Sequence, residues 1–111
     1  MADIKKIDNI EDYNKFVNSS NDNLSVVKLG SSWCGPCRVL GETIKNLSQE
    51  DVEGVLLADV EADAEWFEDE ADKLNIRGIP VLVAFKDGKE TDRIQGAQTR
   101  EALIEFFGRN K

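Results

Sequence analysis

The sequence contains no histidine and only two cysteines, two prolines and one methionine in 111 residues. Without histidine, the commonest general base, the Cys-His nucleophile pair and the most frequent metal ligand are all excluded. Chemistry in this chain must come from sulfur, carboxylates, lysine or the backbone. Two cysteines alone cannot close a zinc site, which takes about four ligands, so no metal is expected. Long apolar runs are also missing. The longest, Val81-Leu82-Val83-Ala84-Phe85, falls far short of the roughly 20 residues of a membrane helix. The opening Met1-Ala2-Asp3-Ile4-Lys5-Lys6 carries no basic and apolar pair of regions resembling an export signal. A cytoplasmic protein without a membrane partner is therefore expected. Basic clusters longer than Lys5-Lys6 do not occur, and the net charge of −8 argues against a nucleic-acid partner.

What is present describes one globular domain over residues 1–111, with 41% hydrophobic and 32% charged residues. The acid is concentrated: between Glu42 and Asp72 lie twelve carboxylates and a single base, Lys45. Such a stretch reads as a solvated face that aids solubility. The alternative is an electrostatic filter for basic partners.

Periodicity divides the chain into alternating elements. Ile4 and Ile7 mark a short strand, and Ile10, Tyr13, Phe16 and Val17 recur at helical spacing. The polar run from Asn18 to Asn23 is a loop, and Leu24 to Leu29 is a buried strand. A helix starts near Cys34, with Pro36 in its first turn and Val39, Leu40, Ile44 and Leu47 facing inward. Gly54 to Val60 is a third strand. Asp63 is placed to cap a helix that runs through Phe67, Ala71 and Leu74. Trp66 lies at the edge of that stripe. Val81 to Phe85 and a strand through Ile94 flank Lys86-Asp87-Gly88-Lys89, an Asp-Gly hairpin signal. Thr99 caps a last helix whose core side is Ala102, Leu103, Phe106 and Phe107. The predicted fold is α/β: a central mixed sheet with a parallel core, an antiparallel C-terminal hairpin and helices on both faces.

The strongest signal is Trp33-Cys34-Gly35-Pro36-Cys37 at a strand-to-helix junction. A Cys-x-x-Cys pair there puts both thiols within one turn, near enough to form a disulfide. The first sulfur faces free backbone N–H groups and the positive end of the helix dipole, which favour thiolate. Thiolate is the attacking species in disulfide exchange. Cys34 is therefore the candidate nucleophile, and Cys37, one turn deeper, the candidate resolving thiol. A purely structural bridge is a poor reading, because so short a loop restrains the unfolded chain little.

These residues and their order resemble the thioredoxin family over nearly the whole chain. The motif from Trp33 to Cys37 matches the family's active site. Ile76-Arg77-Gly78-Ile79-Pro80 is similar to the segment that carries a cis-proline facing the disulfide. Phe85-Lys86-Asp87-Gly88 resembles its hairpin, and Gly96-Ala97 its glycine loop. The resemblance implies that Pro80 and the Ile79 backbone position an extended substrate segment, with Trp33, Gly35, Pro36 and Gly96 bordering the docking surface. It implies disulfide-containing protein substrates, an upstream reductase as electron donor, no cofactor and a monomer.

Four positions depart from the family pattern. The usual buried aspartate, credited with relaying a proton for the second cysteine, is Lys28; the lysine that accompanies it on the next strand aligns with Leu57. The aromatic two residues after the aspartate is Gly30, and the helix-kinking proline is Glu42, next to Gly41. Lys28 is the candidate replacement for the buried ionisable group, with Asp59 as its candidate partner; the competing reading is that its long stem carries the ammonium out to water with no catalytic role. The functional expectation is a protein disulfide reductase. A binding module with slow redox turnover, or a more oxidising exchange protein or isomerase, is the alternative that Lys28 raises.

Overall fold

Alternation along the strands decides which side chains face which helices. A computed structural model describes residues 2–19 and 23–111. Within the Asn18 to Asn23 loop predicted above, residues 20–22 lie outside the described part. The elements are β1 (Lys5–Lys6), α1 (Ile10–Val17), β2 (Leu24–Gly30), α2 (Gly35–Lys45) and β3 (Val55–Glu61), then α3 (Glu68–Lys73), β4 (Val81–Lys86), β5 (Lys89–Gln95) and α4 (Arg100–Asn110). They build a five-stranded sheet in the order β1-β3-β2-β4-β5. β1, β3 and β2 run parallel, and β4 and β5 add antiparallel strands. This is the mixed sheet with a C-terminal hairpin that the sequence predicts.

Successive strand residues point to opposite faces. Val26, Leu57, Leu82 and Ala84 join one core with Leu40 and Ile44 of α2 and Leu103, Phe106 and Phe107 of α4. Val27, Leu29, Ala58, Val60, Val81, Val83 and Phe85 join a second core with Tyr13 and Val17 of α1 and with Phe67. Helices thus cover both faces. Tyr13 anchors the second core, its ring edge-on to Phe67 at 5.2 Å. By the same parity Lys28 belongs to the face under α2, which matters for the site.

Two predictions need correction. Val39 does not face inward: it is 58% exposed, because the buried stripe of α2 is Cys37, Leu40 and Ile44 and continues to Leu47. Asp63 caps no helix. The segment begins with a 3₁₀ turn, Glu65–Phe67, whose N-cap is Ala64 without a side-chain bond, and only six residues of α-helix follow. Asp63 instead accepts a hydrogen bond from the indole of Trp33. The expected partner of Lys28 holds: Asp59 faces it on β3, while Leu57 faces Val26.

Candidate active site

Strand ends gather the site. β2 finishes at Gly30, and the chain turns through Ser31 to Trp33 into α2. Antiparallel pairing of Leu29 with Val81 brings Ile79 and Pro80 to the same sheet end, and pairing of Val81 with Gln95 brings Gly96 there. The Ala62 amide bonds to the Gly30 carbonyl, so the end of β3 closes the other side. Candidate residues from four separate segments thus meet around the start of α2, outside the carboxyl ends of the parallel strands.

Cys34 is the N-cap of α2 in extended conformation, and Pro36 occupies the first turn, where no N–H is needed. The Cys37 amide donates to Cys34 Sγ at 3.2 Å. The first cysteine therefore does the work of a capping side chain, with its sulfur held against the positive end of the helix. Cys34 and Cys37 form a disulfide with a Cα–Cα separation of 5.2 Å. Cys34 is 7% exposed and Cys37 only 1%. Attack from outside reaches the first sulfur, not the second.

Around this pair the predicted residues fall into two groups. Trp33 is 71% exposed and is steadied by its Nε1 donating to Asp63 Oδ2 at 3.2 Å. Gly35 is open, with no atom near the place where a side chain would start. The Ile79–Pro80 peptide is cis. The Pro80 carbonyl accepts from the Gly96 amide at 2.8 Å and from Gln95 Nε2 at 3.3 Å. Gly96 has φ +86, a left-handed conformation suited to glycine. Trp33, Gly35 and Pro36 stand exposed on the outer side of the disulfide, and the Gly96 loop is bonded to the proline beside it.

The second group lies behind the disulfide. Lys28 reaches under α2 with its side chain 12% exposed and bonds to Asp59 Oδ1 at 3.4 Å. A side chain begun at Gly30 would lie 3.0 Å from Cys37 Sγ and 3.7 Å from Lys28 Nζ. One begun at Gly41 would again lie 3.7 Å from that Nζ. Gly30 and Gly41 thus clear the space that the lysine head occupies. Sequence reasoning noted Gly30 as a departure and Gly41 as the neighbour of another, without connecting either to Lys28. It missed Ser31 altogether: this residue is 6% exposed, and its hydroxyl has no hydrogen-bond partner among the described residues.

A strand-to-helix junction that holds a vicinal cysteine pair at a helix N-terminus, on a mixed sheet covered on both faces, defines a thiol–disulfide oxidoreductase. Comparison with known proteins adds the family. The thioredoxin family model matches residues 4–109. The chain is 31% identical over 105 residues to the thioredoxin of Chlamydia caviae, covering 95% of this chain and 97% of that one. It is 32% identical over 90 residues to the thioredoxin of Staphylococcus aureus, covering 78% and 82%. The solved structure of Fasciola hepatica thioredoxin superposes with a TM-score of 0.82 at 32% identity, covering 97% and 100%. This chain belongs to the thioredoxin family.

Proposed function

We propose that residues 1–111 act as a single monomeric domain that reduces disulfides in protein substrates, with Cys34 attacking and Cys37 resolving. The observation that carries this reading is Cys34 as a sulfur N-cap, disulfide-paired with a buried Cys37. In the dithiol form the Cys34 thiolate attacks one sulfur of the substrate disulfide, forming a mixed disulfide and releasing a substrate thiolate. Cys37, having lost its proton, then attacks Cys34. The second substrate thiolate leaves, and the Cys34–Cys37 disulfide remains. Two electrons pass to the substrate, so an upstream reductase must return two. Residues 1–111 hold no nucleotide-binding glycine loop, so the donor lies outside them.

Ile79 and Pro80 receive the substrate backbone beside Cys34. Trp33, Gly35, Pro36 and Gly96 form the surface on which it rests. Lys28 acts on the second sulfur: an ammonium behind Cys37 favours its thiolate. Among the described residues no helix is long and apolar enough to cross a membrane, and a cytoplasmic setting suits a reductant. The test is insulin reduction with dithiothreitol as the electron source. The expected result is precipitation well ahead of the protein-free control. A rate equal to that control overturns the proposal.

A further inference from the structure

Gln95, the last residue of β5, pairs in register with Val81 and stands exposed beside the segment that leads into the Ile79–Pro80 peptide. Its Nε2 donates to the Pro80 carbonyl at 3.3 Å. A carbonyl only accepts, so the nitrogen end of the carboxamide must face Pro80, and the oxygen end is turned away. Among the described residues none donates to that oxygen. The amide also lies against Gly78, where a Cβ would come within 3.1 Å of Nε2. Glycine at 78 is what gives the side chain its resting place. Behind it, Gln98 Nε2 donates to the Gln95 carbonyl at 2.8 Å, which steadies the backbone that carries the amide. The Pro80 carbonyl has two lone pairs, and both are used, by the Gly96 amide at 2.8 Å and by Gln95. A substrate strand laid on this segment therefore pairs with the Ile79 backbone, and in doing so passes the Gln95 amide where it rests on Gly78.

We infer that Gln95 is a specificity-determining residue for the exchange: its Oε1 accepts a hydrogen bond from a donor side chain next to the reacting cysteine of the substrate. The inference rests on the attack by Cys34 and the docking along Ile79 proposed above. An acceptor already anchored through its own nitrogen loses little freedom when it binds. A substrate with a hydroxyl, amide or ammonium beside its cysteine replaces the water on that oxygen. An apolar side chain strips the water and returns nothing, so it is rejected. Discrimination thus comes as much from the cost to the wrong segment as from the bond to the right one.

The experiment uses single-cysteine peptides whose sulfur is joined in a disulfide to a chromogenic aromatic thiol. Cys34 attacks the peptide sulfur, the bond to the aromatic sulfur breaks, and the coloured thiolate departs as the better leaving group. Thr and Val are compared at each of the two positions flanking the cysteine, since they match in shape and differ by the hydroxyl without adding charge. The parent protein should react roughly fivefold faster with the Thr peptide at one of these positions, the worth of one neutral hydrogen bond. Gln95→Leu, which keeps the bulk and loses the amide, should bring that ratio to about one. Each ratio compares two peptides on the same protein, so a general loss of activity or folding cancels. A parent ratio near one at both positions overturns the inference, and so does a Gln95→Leu ratio equal to the parent's. A parent that releases no colour from any peptide overturns the attack by Cys34 itself.

Discussion

Lys28 carries a charge of the sign opposite to that expected beneath a reactive disulfide of this family, and its neighbours fit that charge. Asp59 faces it in register, and Gly30 and Gly41 leave room for its head. An ammonium near Cys37 stabilises the reduced form through the thiolate. Lys28→Met should therefore make the dithiol a stronger reductant, a shift read by equilibrating each protein against glutathione. An unchanged equilibrium would remove Lys28 from the redox step. Gly30 is a separate test of the packing. In Gly30→Ala the new methyl meets Cys37 Sγ at 3.0 Å and its Cβ at 3.2 Å, and overpacking of this kind costs about 1–3 kcal/mol. Urea unfolding of the oxidised protein measures that loss. The Lys28–Asp59 pair was legible in the sequence because strand parity alone puts both on one face. Ser31 was not, since a serine between a strand and a motif looks like ordinary turn chemistry until its burial is seen.

Among the elements, α2 shows how closely spacing decides burial. Leu40 is fully buried and Val39, one residue earlier, is 58% exposed. Leu40→Ala should cost about 2–5 kcal/mol, whereas Val39→Ser should stay within about 0.5 kcal/mol; chemical denaturation of the two variants separates them. Comparable losses would mean that the helix is rotated from the position described. The strands, the hairpin and α4 were legible because their apolar periods are unambiguous, and Thr99 caps α4 as predicted by accepting from the Ala102 amide at 3.1 Å. The Glu61 to Leu74 segment was not. Its Phe67, Ala71 and Leu74 suit a helical stripe, but the chain enters through a 3₁₀ turn, and Glu68, Asp69 and Asp72 of α3 are solvated. Asp63, which looked like a cap, holds Trp33 instead.

At the scale of the whole molecule, two carboxylates tie α4 to distant parts of the chain. Asp51 receives the Ser48 amide and the Arg100 guanidinium, and Asp92 receives the Asn110 side chain and Arg109. The Ser48 amide holds the Asp51 carboxyl below the usual range, with help from the Ser48 hydroxyl and Arg100. The Asn110 amide and then Arg109 do the same for Asp92. Their folded values lie below the unfolded ones, so this stabilisation is complete above about pH 4 and is lost as pH falls through the folded values. Asp92→Asn should therefore lower the Tm modestly at neutral pH, with the gap to the parent closing below about pH 4. A gap that stays constant into acid would show that Asp92 does not act through its charge. The mixed sheet with its antiparallel hairpin follows from the element sequence and was legible, whereas the strand order was not. Nor was the cavity lined by Cys37 and Lys28, because it depends on where side chains from β1, β2, β3 and α2 meet. Exchange through Cys34 remains the central claim, and trapping tests it most directly. Cys37→Ser, reduced and mixed with a disulfide-bearing protein, should accumulate a mixed disulfide that peptide mass analysis locates on Cys34, while Cys34→Ser accumulates none. Adduct on Cys37 in the Cys34→Ser protein, with none on Cys34 in its counterpart, would contradict the account.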